Sequence, residues 1–483
     1  MKRTPPLMPP EDRRNFYISV AAIGLPVALQ NLLTTSAGMV DTIMIGTLGE
    51  NSVAAAGICV QYSMLLLAAW FGFCNGGTIF FAQYWGAGDE RGICRAYGIT
   101  FSCMMAVTFV FSGFAIFAPG FILRLYTDKE AIRRAAVPYL RIVGLSYPLQ
   151  IWAAAISALL RSIEKVKIPL FASVVSLITN FVLNWLLIFG HFGFPKMGMA
   201  GAAVGTVCAA AVNVLVLYIF CFRGKCSYIL RIRDHFKWDA AFIKEYFSRS
   251  FFVVCNEMLY GTGQLLINII IGRQSAAGIA AMAVFRVLEG ILFVFFGGLA
   301  NASSVMVGKN IGAGKHMEGY REARRFTLLC PAITLVIWLA MLPFSRQLLG
   351  LFGLGNEALR YAMYMLLIYT VAGNLRSCNY ITNNIFRAGG ESIFGTTVEI
   401  CGLFFLSIPL TAAAGLVLHW PFLVVFLLTY SDEIIRIGIL QRYMKSGKWI
   451  KPVTGEGIRA LAAFRSQIAR AGQTRPANHP FLM

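Results

Sequence analysis

Residues 24–88 read GLPVALQNLLTTSAGMVDTIMIGTLGENSVAAAGICVQYSMLLLAAWFGFCNGGTIFFAQYWGAG. Two long apolar runs flank a short Gly/Asn turn, and one carboxylate, Asp41, sits late in the first run. Residues 250–314 write the pattern a second time and close on NASSVMVGKNIGAG. At the offset that carries Gly46 onto Gly272, Ala54 and Ala55 fall on Ala280 and Ala281, and Gly72 falls on Gly298. Asn75 falls on Asn301, Gly86-Ala87-Gly88 on Gly312-Ala313-Gly314, Arg95 on Arg321 and Arg161 on Arg387, all without a gap. The chain is a duplication that covers at least four apolar runs in each half.

Composition explains what such a hairpin is for. Of 483 residues, 58% are hydrophobic and 13% charged, which is not a soluble balance. Apolar runs of about 20 residues, enough to cross ~30 Å of hydrocarbon, are expected near 16–40, 53–83, 98–119, 136–160, 168–190, 199–222, 250–272, 279–308, 326–344, 361–386, 394–418 and 421–441. No alternating strand pattern competes with them, and helices satisfy their own backbone in lipid. The expected fold is an all-α polytopic membrane protein, with twelve transmembrane helices in two six-helix bundles. Six spans per copy is an even number, so the copies share one orientation, related by a pseudo-two-fold along the membrane normal. The expected divisions are a lead-in at 1–14, an N-lobe at 15–222, a linker with an amphipathic helix at 223–249, a C-lobe at 250–443 and a basic tail at 444–483. In the linker Trp238, Phe242, Tyr246 and Phe247 are expected on the membrane surface. In the tail Ile458, Leu461, Phe464 and Ile468 share one helical face.

A formal charge of +20 would suggest nucleic acid in a soluble protein, but its placement argues otherwise. Lys2, Arg3, Arg13 and Arg14 precede the first run; Arg91, Arg95, Arg161, Lys165, Lys167 and the stretches 223–237, 309–325 and 436–475 follow alternate runs. The opposite loops are poor in bases, except for Arg124, Lys129, Arg133 and Arg134, which share their loop with Asp128 and Glu130. This positive-inside asymmetry puts both termini in the cytoplasm of a multi-pass cell-membrane protein. The first run is too long for a cleavable signal. Eleven cysteines form no C-x-x-C pair and five histidines have no ligand spacing, so no metal or cofactor is expected beyond a coupling ion. GKNIGAGKH at 308–316 imitates a phosphate loop, but its glycine spacing fails and His316 stands where Ser or Thr would hold magnesium. No hydrolytic constellation is evident, and an enzyme is not expected.

Polar side chains inside spans are costly, so each is a functional candidate with a structural reading beside it. Asp41 is either a proton or cation acceptor in a low-dielectric bundle or a helix-end carboxylate reaching water. Asn180 and Asn184, at i and i+4, either complete a site with Asp41 or hold span five by interhelical hydrogen bonds. Glu257, beside Asn256, occupies the repeat position of Asn31 and either binds a cation or forms an interior salt bridge. Arg286 and Glu289, at i and i+3, neutralise each other. Arg376 has no adjacent acid and is expected to find Glu399 or Glu257. Pro26 removes a backbone bond from the first span, while Gln30, Asn31, Asn75 and Asn301 line a cavity or relieve broken backbone.

Several stretches resemble the multidrug and toxic compound extrusion (MATE) family. They are LPVALQ and MVDTIMIGTLG in span one, FFAQYWGAGD after span two, LRSIEKVKIP after span four, LNWLLIFGHFGFPKMGMAGAAVGT through spans five and six, and FRAGGES, EICGLFFLSIPL and SGKW in the second half. The resemblance implies an antiporter that extrudes cationic or amphipathic organic compounds against an inward flow of protons or sodium. Its partners are then small-molecule substrates and membrane lipids, with no nucleic acid, and the working unit is a monomer. The implied coupling site is Asp41 with Asn180 and Asn184, and any bound sodium sits at Asp41; the family commonly has Asp where Asn184 stands. Glu257 matches a seventh-span Glu used in the C-lobe site of some branches, so Glu257, Asn256, Arg376 and Glu399 form a second candidate cation or substrate site. The alternative is a flippase for lipid-linked or polysaccharide precursors from the same wider superfamily. Its interior should hold phosphates on buried Arg and Lys, and Arg286 and Arg376 are the strong interior bases here.

Overall fold

A computed structural model describes residues 10–224, 226–350 and 352–473, and these form helices and connections without a β-strand. In chain order the helices are α1 (Pro10–Gly46), α2 (Glu50–Gly86), α3 (Glu90–Phe117), α4 (Pro119–Tyr126), α5 (Glu130–Ser162), α6 (Lys167–Phe189), α7 (Met199–Arg223), α8 (Ser227–Leu230), α9 (Ile232–His235) and α10 (Ala240–Gly272). There follow α11 (Ala276–Gly312), α12 (His316–Met341), α13 (Ser345–Gly350), α14 (Asn356–Ala388), α15 (Ile393–Gly402), α16 (Ile408–Ala412), α17 (Phe422–Leu428), α18 (Ser431–Ser446) and α19 (Gly455–Gln473). Among the described residues nine helices are long and apolar enough to cross a membrane. The remaining expected spans, 250–272, 361–386 and 421–441, fall on α10, α14 and the α17–α18 pair. Polar content takes α10 and α14 below that measure, with Glu257 in the one and Arg376, Asn379 and Asn383 in the other, while the last span is divided by a turn into two helices too short for it.

The duplication extends to the helix boundaries. α2 and α11 are each 37 residues long, and both ends of one lie at the repeat offset from the other. The same offset relates α5 to α14 at both ends, the starts of α3 and α12 and of α6 and α15, and the ends of α1 and α10. It also relates the turns. The Asp89 N–H donates to the Tyr84 carbonyl at 3.0 Å, and the Lys315 N–H to the Asn310 carbonyl at 2.9 Å. Gly88 and Gly314 close these turns at φ +68° and +74°, where a residue without Cβ is unstrained. After α5 the equivalent place is taken by Glu164 at φ +64°, and after α14 by Gly390 at +91°.

The chain divides into two compact units, one of Met1–Val20, Ala82–Asp89 and Leu259–Met483, the other of Ala21–Phe81 and Glu90–Met258. In the second of these, Ile45, Ala55, Tyr62, Leu140, Tyr147, Ile188 and Ala203 form a core from α1, α2, α5, α6 and α7. In the first, Phe285 packs edge-on against Tyr369 and Phe426, with ring centroids 5.1 and 5.2 Å away, and Trp338 is buried beside them. Leu25, Met39, Ile43, Phe109 and Phe405 are exposed, as apolar side chains of a membrane bundle are where lipid covers them.

The expected surface helix of the linker is corrected in part. α10 starts at Ala240 and runs unbroken into span seven, and Tyr246 is buried rather than lying on a membrane surface. Its hydroxyl is 2.9 Å from Thr100 Oγ1 and its ring 5.3 Å from that of Phe80. A tyrosine that finds both an apolar wall and a hydroxyl partner gains more by burial than at an interface. α9 lies against α3 at Gly98, where a Cβ would stand 1.9 Å from the His235 carbonyl oxygen. The expected tail helix forms as α19, with Phe464 buried against His316 and Tyr320 of α12.

Candidate functional site

Asp41 lies near the end of α1, and Asn180 and Asn184 lie on successive turns of α6. Asn184 Nδ2 is 2.5 Å from Asp41 Oδ1, to which it donates, and 3.4 Å from Asn180 Oδ1. Asn184 is fully buried, Asn180 nearly so, and Asp41 half-buried. Gly205 of α7 permits the approach, since a Cβ there would stand 2.2 Å from Asn184 Oδ1. That oxygen is itself buried without a partner. The three expected coupling residues are therefore brought together, and the interhelical bond that anchors α6 ends on the acid. A half-buried carboxylate whose bond comes from a neutral amide rather than from a base has the chemistry to accept a proton or a cation. The amide oxygen beside it is of the type that ligates hard cations.

The remaining first-span candidates face different neighbours. Gln30 donates to Ser173 Oγ at 3.1 Å and accepts from Arg161 Nη1 at 3.3 Å. The Asn31 carbonyl accepts from the Thr35 hydroxyl at 3.0 Å, and Pro26 lies inside the continuous α1. Asn75 Nδ2 is 3.4 Å from Glu257 Oε1, so Glu257 of α10 turns toward α2, and Asn256 beside it is buried. Asn301, the repeat equivalent of Asn75, keeps its Oδ1 buried without a partner.

The second candidate set does not form one site. Arg376 pairs with Glu289 of α11, not with Glu257 or Glu399 as expected, and donates to the Tyr260 hydroxyl at 2.8 Å. Arg286 donates to the same carboxylate at 2.8 Å and to Gln264 Oε1 at 3.3 Å. The local pair expected at i and i+3 exists, but α14 lies along α11 and adds a second guanidinium to it. Glu399 of α15 accepts from Arg436 of α18 and from Asn383, each at 3.0 Å. Arg436 also reaches Asp432 at 3.1 Å and Glu433 at 3.4 Å. Asn379 donates to Glu433 and Ser407 to Asp432, both at 2.7 Å.

Arg286, Arg376, Asp432, Glu433 and Arg436 line one small cleft of mixed polarity with Tyr260 and Gln264. Asp432 and Glu433 share one guanidinium that a third acid also engages. Buried carboxylates in excess of their counter-ions are places for protons or cations. Sequence reasoning missed Asp432, Glu433 and Arg436. The signal was present as DEIIR inside an apolar run, three ionisable residues that a helix puts within reach of one another.

Two homologous sets of membrane helices, each with ionisable groups gathered in its interior, define a polytopic membrane transporter. The MatE family model matches residues 26–186 and 250–413, and the chain belongs to this family, whose members are transporters rather than enzymes. "Probable multidrug resistance protein NorM" of Thermotoga maritima is 22% identical over 94% of this chain and 98% of its own length. "Uncharacterized transporter YisQ" of Bacillus subtilis is 21% identical, over 90% and 95%. The crystal structure of the Vibrio cholerae MATE transporter VcmN in the bent form matches with a TM-score of 0.81 at 16% identity, covering 91% of this chain and all of that one.

Proposed function

We propose that this chain is a secondary active antiporter that exports cationic or amphipathic organic compounds in exchange for protons or sodium. The observation that carries the reading is Asp41, a carboxylate of a helix apolar enough to cross a membrane, whose hydrogen bond comes from the amide of Asn184. A cationic substrate and a coupling ion compete for that charge, so loading from outside releases the substrate and inward release resets the site. The name of the NorM relative supports the substrate class. Pro26, Gln30, Asn31, Asn75 and Asn301 then serve opening and closing around the cavity. A second place for a cation is Glu399 with Asp432 and Glu433 about Arg436, in preference to Glu257, Asn256 and Arg376. The transporter works as one chain among lipids in the cell membrane, with both termini in the cytoplasm and no cofactor. The flippase alternative needs cations available to phosphate, whereas Arg286, Arg376 and Arg436 are each held by carboxylates.

Efflux of a fluorescent organic cation from proteoliposomes, under proton and sodium gradients imposed separately, tests the reading. Wild-type protein should respond to one gradient, and Asp41→Asn should insert normally yet show no gradient-driven efflux. Full efflux by Asp41→Asn would falsify the role of Asp41. Movement of a lipid-linked phosphate precursor, with no organic cation moved under either gradient, would establish the flippase instead.

A further inference from the structure

The connection after α7 carries chemistry that transport does not use. α7 ends at Arg223, and the chain folds back on the helix end. The Gly224 N–H donates to the Phe220 carbonyl at 2.7 Å and the Cys226 N–H to the Cys221 carbonyl at 2.9 Å. A bond spanning six residues at a helix end brings the side chains of its first and last members together. Here both members are cysteines. Both side chains are buried, beside the exposed Phe222, Arg223 and Gly224, and Cys226 Sγ lies 3.9 Å from the Gly224 carbonyl oxygen. Lys165, from the turn before α6, arrives at the same place, its Nζ 3.1 Å from Cys226 Sγ and 3.3 Å from the Gly224 carbonyl oxygen. Cys59, Cys330 and Cys378 also donate to backbone carbonyls, but inside the bundle.

An ammonium beside a sulfur favours thiolate over thiol. The neighbouring Cys221 thiol, and after it Lys165, outweigh burial and hold the Cys226 thiol below its ordinary value. The groups facing this sulfur are Lys165, Cys221 and Tyr228, with Glu90 and Cys94 behind Tyr228. All eleven cysteines are free thiols, and in this pair a sulfur beside an ammonium belongs to a residue whose backbone is hydrogen-bonded to that of a second cysteine.

We propose that Cys221 and Cys226 form a hydroperoxide-responsive dithiol, with Cys226 the attacking sulfur, Cys221 the resolving one and Lys165 the positioning cation. The Cys226 thiolate attacks the terminal oxygen of a hydroperoxide; an S–O bond forms, the O–O bond breaks, and the departing oxygen takes a proton from the Lys165 ammonium. Cys221 gives its proton to the neutral amine so formed and attacks the sulfenic sulfur. The S–S bond forms, the S–O bond breaks, and the departing hydroxide takes up the proton that Cys226 released to solvent on ionising, giving water. Two thiols and one hydroperoxide become a disulfide, an alcohol and water, with two electrons passing from sulfur to oxygen. The site lies on the face that the charge asymmetry assigns to the cytoplasm, where cellular thiols reverse the reaction. The disulfide ties the start of the connection toward α10 to the end of α7.

Membrane vesicles containing the full chain, treated with hydrogen peroxide, alkylated and digested without reductant, provide the test. The peptide carrying both cysteines should lose two hydrogens at doses that leave Cys59 and Cys330 open to alkylation, and dithiothreitol should restore it. Cys221→Ser should leave a Cys226 sulfenic acid that a cyclic 1,3-diketone traps, and Cys226→Ser should yield neither product. Lys165→Gln should slow oxidation about tenfold at neutral pH, because thiolate fraction falls while intrinsic nucleophilicity partly recovers. In the unaltered protein the rate should rise with pH to a midpoint clearly below the ordinary thiol value, since Cys226 is held below it. A midpoint near the ordinary thiol value of about 8.5, or oxidation of Cys226 no faster than of Cys59, overturns the proposal without reference to any variant.

Discussion

Asp41, Asn184 and Gly205 depend on one another at distances too short to adjust. A methyl group at position 205 would meet Asn184 Oδ1 at 2.2 Å, and the amide could escape only by leaving Asp41. Gly205→Ala is therefore expected to cost about 1–3 kcal/mol, as overpacking does, and to reduce gradient-driven efflux beyond what lost stability explains. Thermal unfolding in detergent and a transport assay on the same preparation separate the two effects. Gly390 is a second such position, held at φ +91°; Gly390→Ala is expected to lower stability by about 1–2 kcal/mol, read as a fall in melting temperature. The i, i+4 spacing of Asn180 and Asn184 was legible in the sequence because it belongs to one helix. That their partner would be Asp41, 143 residues before Asn184, depends on how α1 and α6 pack, and periodicity within either helix does not contain that.

Between elements, the ion network around α14 and α18 shows how packing redistributes charges that sequence places only approximately. Arg376 lies 87 residues from Glu289 and 23 from Glu399 in the chain, yet it pairs with the more distant acid. Arg436→Met would leave Asp432 and Glu433 buried without their guanidinium. A loss of about 3–5 kcal/mol is expected, with part recovered in the double variant Arg436→Met, Asp432→Asn, and chemical denaturation checks both. The short α8–α9 segment gives a pH-dependent case. Burial lowers the His235 imidazole below its ordinary value, against the opposing pull of the Tyr228 carbonyl, 2.7 Å from Nε2, and of Asp234. The unfolded histidine then binds a proton more readily than the folded one, so the stability held here is complete above about pH 6.5 and is lost as pH falls below it. Limited proteolysis within residues 226–240 should accelerate on acidification from about pH 7.5 to 5.5, and His235→Gln should flatten that response.

For the molecule as a whole, the charge asymmetry of the loops predicts one topology. An epitope placed after Met483 should bind antibody only in permeabilised cells, and labelling of intact cells would reverse the assigned orientation. The duplication, the membrane class and most helix ends could be read from the sequence, because hydropathy over about 20 residues and glycine turns at a fixed offset are local properties. The fate of Tyr246 could not, since an aromatic at the head of a helix reads alike for a membrane surface and for a wall made by α2 and α3. The DEIIR cluster was overlooked because its meaning depends on Glu399 and Asn379 arriving from other helices. By itself the sequence determined a twice-written helical membrane chain with its carboxylate at Asp41. Only the tertiary structure decided which acid meets which base or amide, because each helix carries its own face but the partner opposite is set by packing between helices distant in the chain.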